Sequence, residues 1–151
     1  MLLLNIVSDE QLLTSQIVKT VLLCLLGAGL IYNLFKLIRR KEKVKRIINS
    51  VIFLLLCVVA YFTIQAYRIE GSLLNHPRYV IGTTMGDCSV TGLGQGIEFE
   101  YEVDGRTFHN CSTYYPVSKD SIKVPGGKYM VRYSDKFVDK GRMDFNKKAN
   151  P

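Results

Sequence analysis

Cys88, His109 and Cys111 are the residues of this chain best suited to metal or redox chemistry. His109 and Cys111 stand two positions apart, so on a strand they share a face, and Cys88 could join them as a third ligand. A structural zinc site generally needs four ligands at recognisable spacing, and the only other histidine is His76. A surface histidine beside Glu100 accounts for the same residues more simply. Glu98, Glu100 and Glu102 resemble the carboxylate pairs of glycoside hydrolysis, but alternate strand positions place them together on a solvated face. The glycine run GLGQG (92–96) looks like part of a dinucleotide fingerprint, and PGGKY (125–129) contains Gly-Lys. Neither opens a helix after a strand, so both read as turns. No Ser-His-Asp or Cys-His pattern emerges. The chain reads as a non-enzyme with no cofactor.

The elements that carry these residues are set by where apolar and charged side chains fall. Of 20 Lys and Arg, eight lie at or before Arg46, against only three of the 13 acids; the remainder holds 12 cations and 10 acids. A pI near 9.3 would ordinarily raise nucleic-acid binding. Here most of the excess sits between two apolar runs, so nucleic acid is not expected as a partner.

The first run, Ile17–Ile38, reads IVKTVLLCLLGAGLIYNLFKLI. Such a helix spans about 33 Å, enough for a hydrocarbon core of about 30 Å. Lys19 and Lys36, near its two ends, are expected to snorkel to opposite interfaces. The second run, Ile47–Ala66, has no charged residue over 20 positions. A chain of this size has no core able to hide both. The opening MLLLNIVSDEQLL lacks a positive n-region, so the first helix is expected both to target the chain and to stay in the bilayer.

Between the runs lies RRKEKVKR, with Arg39, Arg40, Lys41, Lys43, Lys45 and Arg46 as its six cations. So short a loop forces a hairpin, and short cation-rich loops are retained in the cytoplasm. Both termini are then expected outside it. Small residues (Cys24, Gly27, Ala28 and Gly29 in the first span, Ser50, Cys57 and Ala60 in the second) suit close helix packing. That packing serves the hairpin itself or a homo-oligomer.

After Pro77 the pattern changes to period two. In IEFEYEVDGRTFHNCS, Ile97, Phe99, Tyr101 and Val103 share one face, and Asp104-Gly105 supplies a two-residue type I′ turn. That register sets Tyr101 against Phe108 and Glu100 against His109. Further strands are expected at Arg78–Val90, ending at Ile122 and Val124, at Lys128–Ser134, and briefly at Arg142–Phe145. Cys88 and Cys111 lie on different predicted strands. In an oxidising compartment they could be linked, contributing on the order of 3–4 kcal/mol; the alternative is two buried thiols acting as small hydrophobes. Asn110-Cys111-Ser112 fits a glycosylation sequon in form alone.

The expected fold is therefore an α+β membrane protein: a two-helix transmembrane hairpin followed by a small antiparallel β domain of about five strands, sheet or small barrel. Its parts are an outer N-terminal segment (1–16), a first span (17–38), a basic cytoplasmic loop (39–46), a second span (47–66), a juxtamembrane connector (67–77), the β domain (78–146) and a polar tail (147–151).

The residues Tyr101, Val103, Asp104, Gly105, Arg106 and Phe108, followed by Pro125, Gly126, Val131 and Tyr133, resemble a Bacteroidetes-like bacterial family of small membrane proteins. Its members pair one or two apolar helices with a small β domain of no assigned activity. The resemblance covers roughly the last seventy residues and rests on turn motifs. It implies a multi-pass protein of the bacterial inner membrane and no catalytic residues. The leading functional expectation is a tethered extracytoplasmic module that binds or scaffolds an envelope protein, peptide or glycan. Two alternatives stand beside it: an immunity or accessory protein that neutralises an envelope-acting toxin, and a periplasmic redox or metal-handling protein using Cys88, His109 and Cys111.

Overall fold

A computed structural model describes residues 7–39, 42–90 and 94–149. The chain forms two compact units, one from Leu13–Arg68, the other from the segment through Leu12 together with everything from Ile69 on.

The helical unit draws on α1 (Asp9–Arg39, 31 residues) and α2 (Lys43–Asn75, 33 residues). Both are long and apolar enough to cross a membrane. Asp9 and Glu10 in the first turn of α1, with Lys36 and Arg39 in its last, complement the helix dipole. Large apolar side chains point outward along both helices, Leu25 at 66% exposure and Leu54 at 65% among them. Of the two glycines in the first span, Gly29 faces the other helix, where a Cβ would sit 3.8 Å from Leu56 Cδ1, whereas one on Gly27 would meet nothing within 4 Å. Near the other end of the pair, Gln16 Nε2 donates to Tyr67 O at 2.9 Å. Lys19 departs from expectation. It is buried instead of snorkelling outward, and its ammonium donates to Ser15 Oγ at 2.7 Å, one helical turn back.

The β unit is a five-stranded antiparallel sheet: β1 (Arg78–Val90), β2 (Gly94–Val103), β3 (Arg106–Ser112), β4 (Lys128–Ser134) and β5 (Phe137–Lys148), in the order β3-β2-β1-β4-β5. It curls into a half-barrel whose edge strands β3 and β5 approach each other. The inner face holds Ile97, Phe99, Tyr101, Tyr129, Val131, Met143 and Phe145, with Ile122 from the β3–β4 crossover. Asp104 and Gly105 both take positive φ, 51° and 74°, as a type I′ turn requires, and the strands pair Tyr101 with Phe108 and Glu100 with His109.

Four stretches take a form that the sequence left open or placed differently. The connector 67–77 is largely helical: α2 continues to Asn75, because nothing before Pro77 stops it and Glu70 and Leu73 are buried. Ile122 and Val124 end no strand. They follow a 3-10 turn (Lys119–Ser121) and fold over the core, held where Thr84 Oγ1 donates to Lys123 O (2.7 Å) and accepts from Gly127 N (2.8 Å). The last strand is twelve residues, not four. Its outward positions are charged and paired, which hides the alternation that sequence reading depends on. The N-terminal segment 1–16 likewise is helical from Asp9.

Candidate functional site

The β unit gathers its chemistry at a group of buried charges. Arg132 on β4 and Arg142 on β5 are cross-strand neighbours facing away from the core, at 4% and 5% exposure. Two guanidiniums side by side out of water demand anionic or carbonyl partners. Arg132 donates through Nε to Leu73 O (2.9 Å), and through Nη1 to Val7 O (2.9 Å) and Asp9 Oδ1 (2.6 Å). Leu73 lies in the last turn of α2, whose carbonyls have no intrahelical donor, so one guanidinium caps that helix end and also holds the start of α1. Arg142 Nη2 lies 3.4 Å from Glu70 Oε1, a carboxylate with 1% exposure. Burial pushes the Arg142 guanidinium below its ordinary value, Glu70 pulls it back up, and neighbouring Arg132 lowers it further. Ser72 Oγ donates to Ser134 Oγ at 2.8 Å beside them.

This arrangement is a clamp. It fixes the ends of two helices to the outer face of β4 and β5 and buries both guanidiniums and the Glu70 carboxylate, while Asp9 stays largely exposed. The adjoining cavity, lined by Val7, Gln11, Tyr114, Met143 and Asn146 among others, holds only about 90 Å³. Ligand pockets run to several hundred Å³, about 300–1,000. A substrate of ordinary size does not fit.

A second polar knot closes the half-barrel. The Tyr101 hydroxyl donates to Val138 O (2.5 Å) and accepts from Gly141 N (2.9 Å), while Asn110 Nδ2 reaches Tyr101 Oη (3.2 Å), Asp139 O (3.0 Å) and Gly141 O (3.2 Å). Burial raises the Tyr101 phenol above its ordinary 10.0, with Asp139 adding to the effect against the hydrogen bonds from Gly141 and Asn110. The amide that would accept a glycan in the Asn110 sequon is therefore the one that stitches β3 to β5.

Cys88 and Cys111 are joined in a disulfide with Cα atoms 6.0 Å apart. They belong to β1 and β3, strands separated by β2, so the bridge spans a neighbour. Gly96 of β2 permits this: a Cβ there would collide with Ser112 O and reach Cys111 Sγ at 3.0 Å. With both sulfurs bonded, Cys88, His109 and Cys111 present no thiolate pair. Among the described residues no three His, Cys, Asp or Glu side chains gather as metal ligands. Glu98, Glu100 and Glu102 alternate with core residues along β2, and His109 is exposed opposite Glu100. Of the glycine run, Gly94–Gly96 begin β2, while Thr91–Leu93 lie outside the described residues.

Arg39 closes α1, and Lys43, Lys45 and Arg46 open α2, where Lys45 pairs with Glu42 at 2.7 Å. Arg40 and Lys41 lie outside the described residues. Sequence reasoning missed the clamp. One signal for it existed: Glu70 is an acid only four residues past a long uncharged apolar run, where a carboxylate needs a partner. Compared with known protein families, curated proteins and solved structures, the chain matches none.

Proposed function

We propose that this protein is a two-span anchor of the bacterial inner membrane carrying a non-enzymatic half-barrel on the extracytoplasmic side, where it binds or scaffolds an envelope protein, peptide or glycan. The observation that carries the reading is the clamp. The last turns of the helix that bears the second apolar run belong to the same compact unit as the sheet and make buried contact with it, through Glu70 with Arg142 and Leu73 with Arg132. A tether alone would need no such contact. The Cys88–Cys111 disulfide supports an oxidising compartment for the half-barrel. The cations from Arg39 to Arg46 support a cytoplasmic loop at the other end of the spans. The small size of the cavity beside the clamp, about 90 Å³, supports recognition by surface.

Labelling of the full chain tests the orientation. In a background with Cys24→Ser and Cys57→Ser, a membrane-impermeant maleimide applied to intact spheroplasts should modify Lys136→Cys and spare Lys45→Cys until the membrane is opened. The reverse pattern ends the proposal. For the binding role, the solubilised full chain should retain an envelope component; recovery of nothing above background counts against it.

A further inference from the structure

Among the described residues, the outer face of the sheet is covered on one side and open on the other. Over β4 and β5 the ends of α1 and α2 bury Arg132, Ser134 and Arg142. Over the central strand β1, the side chains that alternate with the inward Val80, Gly82 and Thr84 stay largely open among the described residues, with Arg132 and Lys147 meeting the Tyr79 ring from one side. Tyr79 is 47% and Ile81 50% exposed, with Met85 at 45% on the bulge just beyond. Central strands usually expose polar groups on a wet face, so an apolar stripe there marks a covered surface.

The charges beside the stripe say what covers it. On the β2 side runs Glu98, Glu100, Glu102, none in an ion pair among the described residues. On the β4 side stand Lys128, paired across from Thr83, and Lys147, whose Nζ lies 5.8 Å over the Tyr79 ring. Lys147 also approaches Asp144 at 3.8 Å but is itself 64% exposed. At Thr83 one cross-strand row reads Glu100, Thr83, Lys128. The face is thus apolar in the middle, acidic on one flank and basic on the other. An anionic bilayer surface would meet repulsion along the whole glutamate row. A second copy meets none if the two-fold axis lies along β1, because that rotation lays each acidic flank over the other copy's basic flank. A dyad across the strands would stack acid on acid. Isologous pairing demands this kind of self-complementarity.

We propose that the bare half of this face is a homodimer interface, closed by Tyr79, Ile81 and Met85 packing on their counterparts about a dyad parallel to β1. The inference stands apart from the binding role and from the compartment.

Sedimentation of the full chain in detergent, in the Cys24→Ser, Cys57→Ser background, should show a dimer. Ile81→Asp, at an exposed position with the disulfide and circular dichroism intact, should weaken it about tenfold or more. Lys128→Glu should weaken it less, and adding Glu100→Lys should restore it. Cross-linking separates this contact from any made by the spans: Glu100→Cys on one chain should bond to Lys128→Cys on another and not to itself. A monomer at every concentration overturns the proposal, as does a dimer indifferent to Ile81→Asp or a Glu100→Cys self cross-link. A monomer that instead floats with anionic vesicles in an Ile81-dependent way also overturns it and gives the stripe to lipid.

Discussion

The helical unit and the half-barrel place their apolar residues in opposite ways. In the most apolar stretch of α1 no residue is buried, and in that of α2 only 11% are. The half-barrel turns eight apolar residues into one closed cluster. Their polar groups differ too. Asn49 of α2 is buried with Nδ2 unpartnered, the one such buried side-chain atom among the described residues. In the half-barrel Thr84, Tyr101 and Arg132 each satisfy two or three partners. The lesson is that one unit depends on the solvent supplied to it, whereas the other depends on its own contacts. On the proposed reading that solvent is lipid.

Truncation should expose the contrast most strongly. Phe99, with 0% exposure at the centre of the cluster, should cost about 3–5 kcal/mol when changed to Ala. Leu25→Ala, at 66% exposure on α1, should cost less than about 0.5 kcal/mol in detergent, where the lost contacts are with the solvent. Denaturant unfolding followed by tyrosine fluorescence compares them directly. Equal losses at both positions would break the distinction between the units.

The clamp is the next test, since it sets buried charge against a helix end. Glu70→Ala leaves Arg142 buried beside Arg132 without its carboxylate and should destabilise the β unit by about 3 kcal/mol. Replacing both partners by Leu should recover most of that, to within about 1 kcal/mol of the parent. If the double substitution proved as damaging as the single one, the ion pair itself, and not the stranded charge, would be the source of stability.

How far these features can be read from sequence follows from how local each one is. The Asp104-Gly105 hairpin was legible because turn chemistry and alternation act within a dozen residues. The two apolar helices were legible as runs, though not their ends: Pro77 marks where α2 must stop, and only the burial of Glu70 and Leu73 shows that it reaches Asn75. The clamp joins residues over a hundred positions apart, such as Asp9 and Arg132, and an outward arginine in KYMVRYS looks like any solvated one. The bare stripe had the same problem in reverse. Tyr79, Ile81 and Met85 look like core until the sheet shows which face is already filled.

The disulfide sharpens the comparison from the covalent side. Cys88→Ala with Cys111→Ala frees a loop of sequence separation 23 and should lower β-unit stability by about 3 kcal/mol while leaving helix content unchanged. A parallel loss of helical circular dichroism would mean the units unfold as one.

The smallest expected effect is at the knot that closes the half-barrel, and pH isolates it. Tyr101→Phe removes a hydroxyl that both donates to Val138 O and accepts from Gly141 N, at a cost of about 1–2 kcal/mol near neutrality. Because burial holds the folded phenol above 10.0, the unfolded chain releases this proton first as pH rises. Above about pH 10 the folded state therefore binds more protons, and stability must fall with further alkalinity until the folded phenol also ionises. Below that window the group contributes no slope. The other tyrosines titrate in both proteins, so the difference between parent and Tyr101→Phe carries the signal. The parent should lose stability more steeply above about pH 10, narrowing the gap between the two. Parallel curves through that range would show that the phenol is solvated and that β3 and β5 are not sealed at this point.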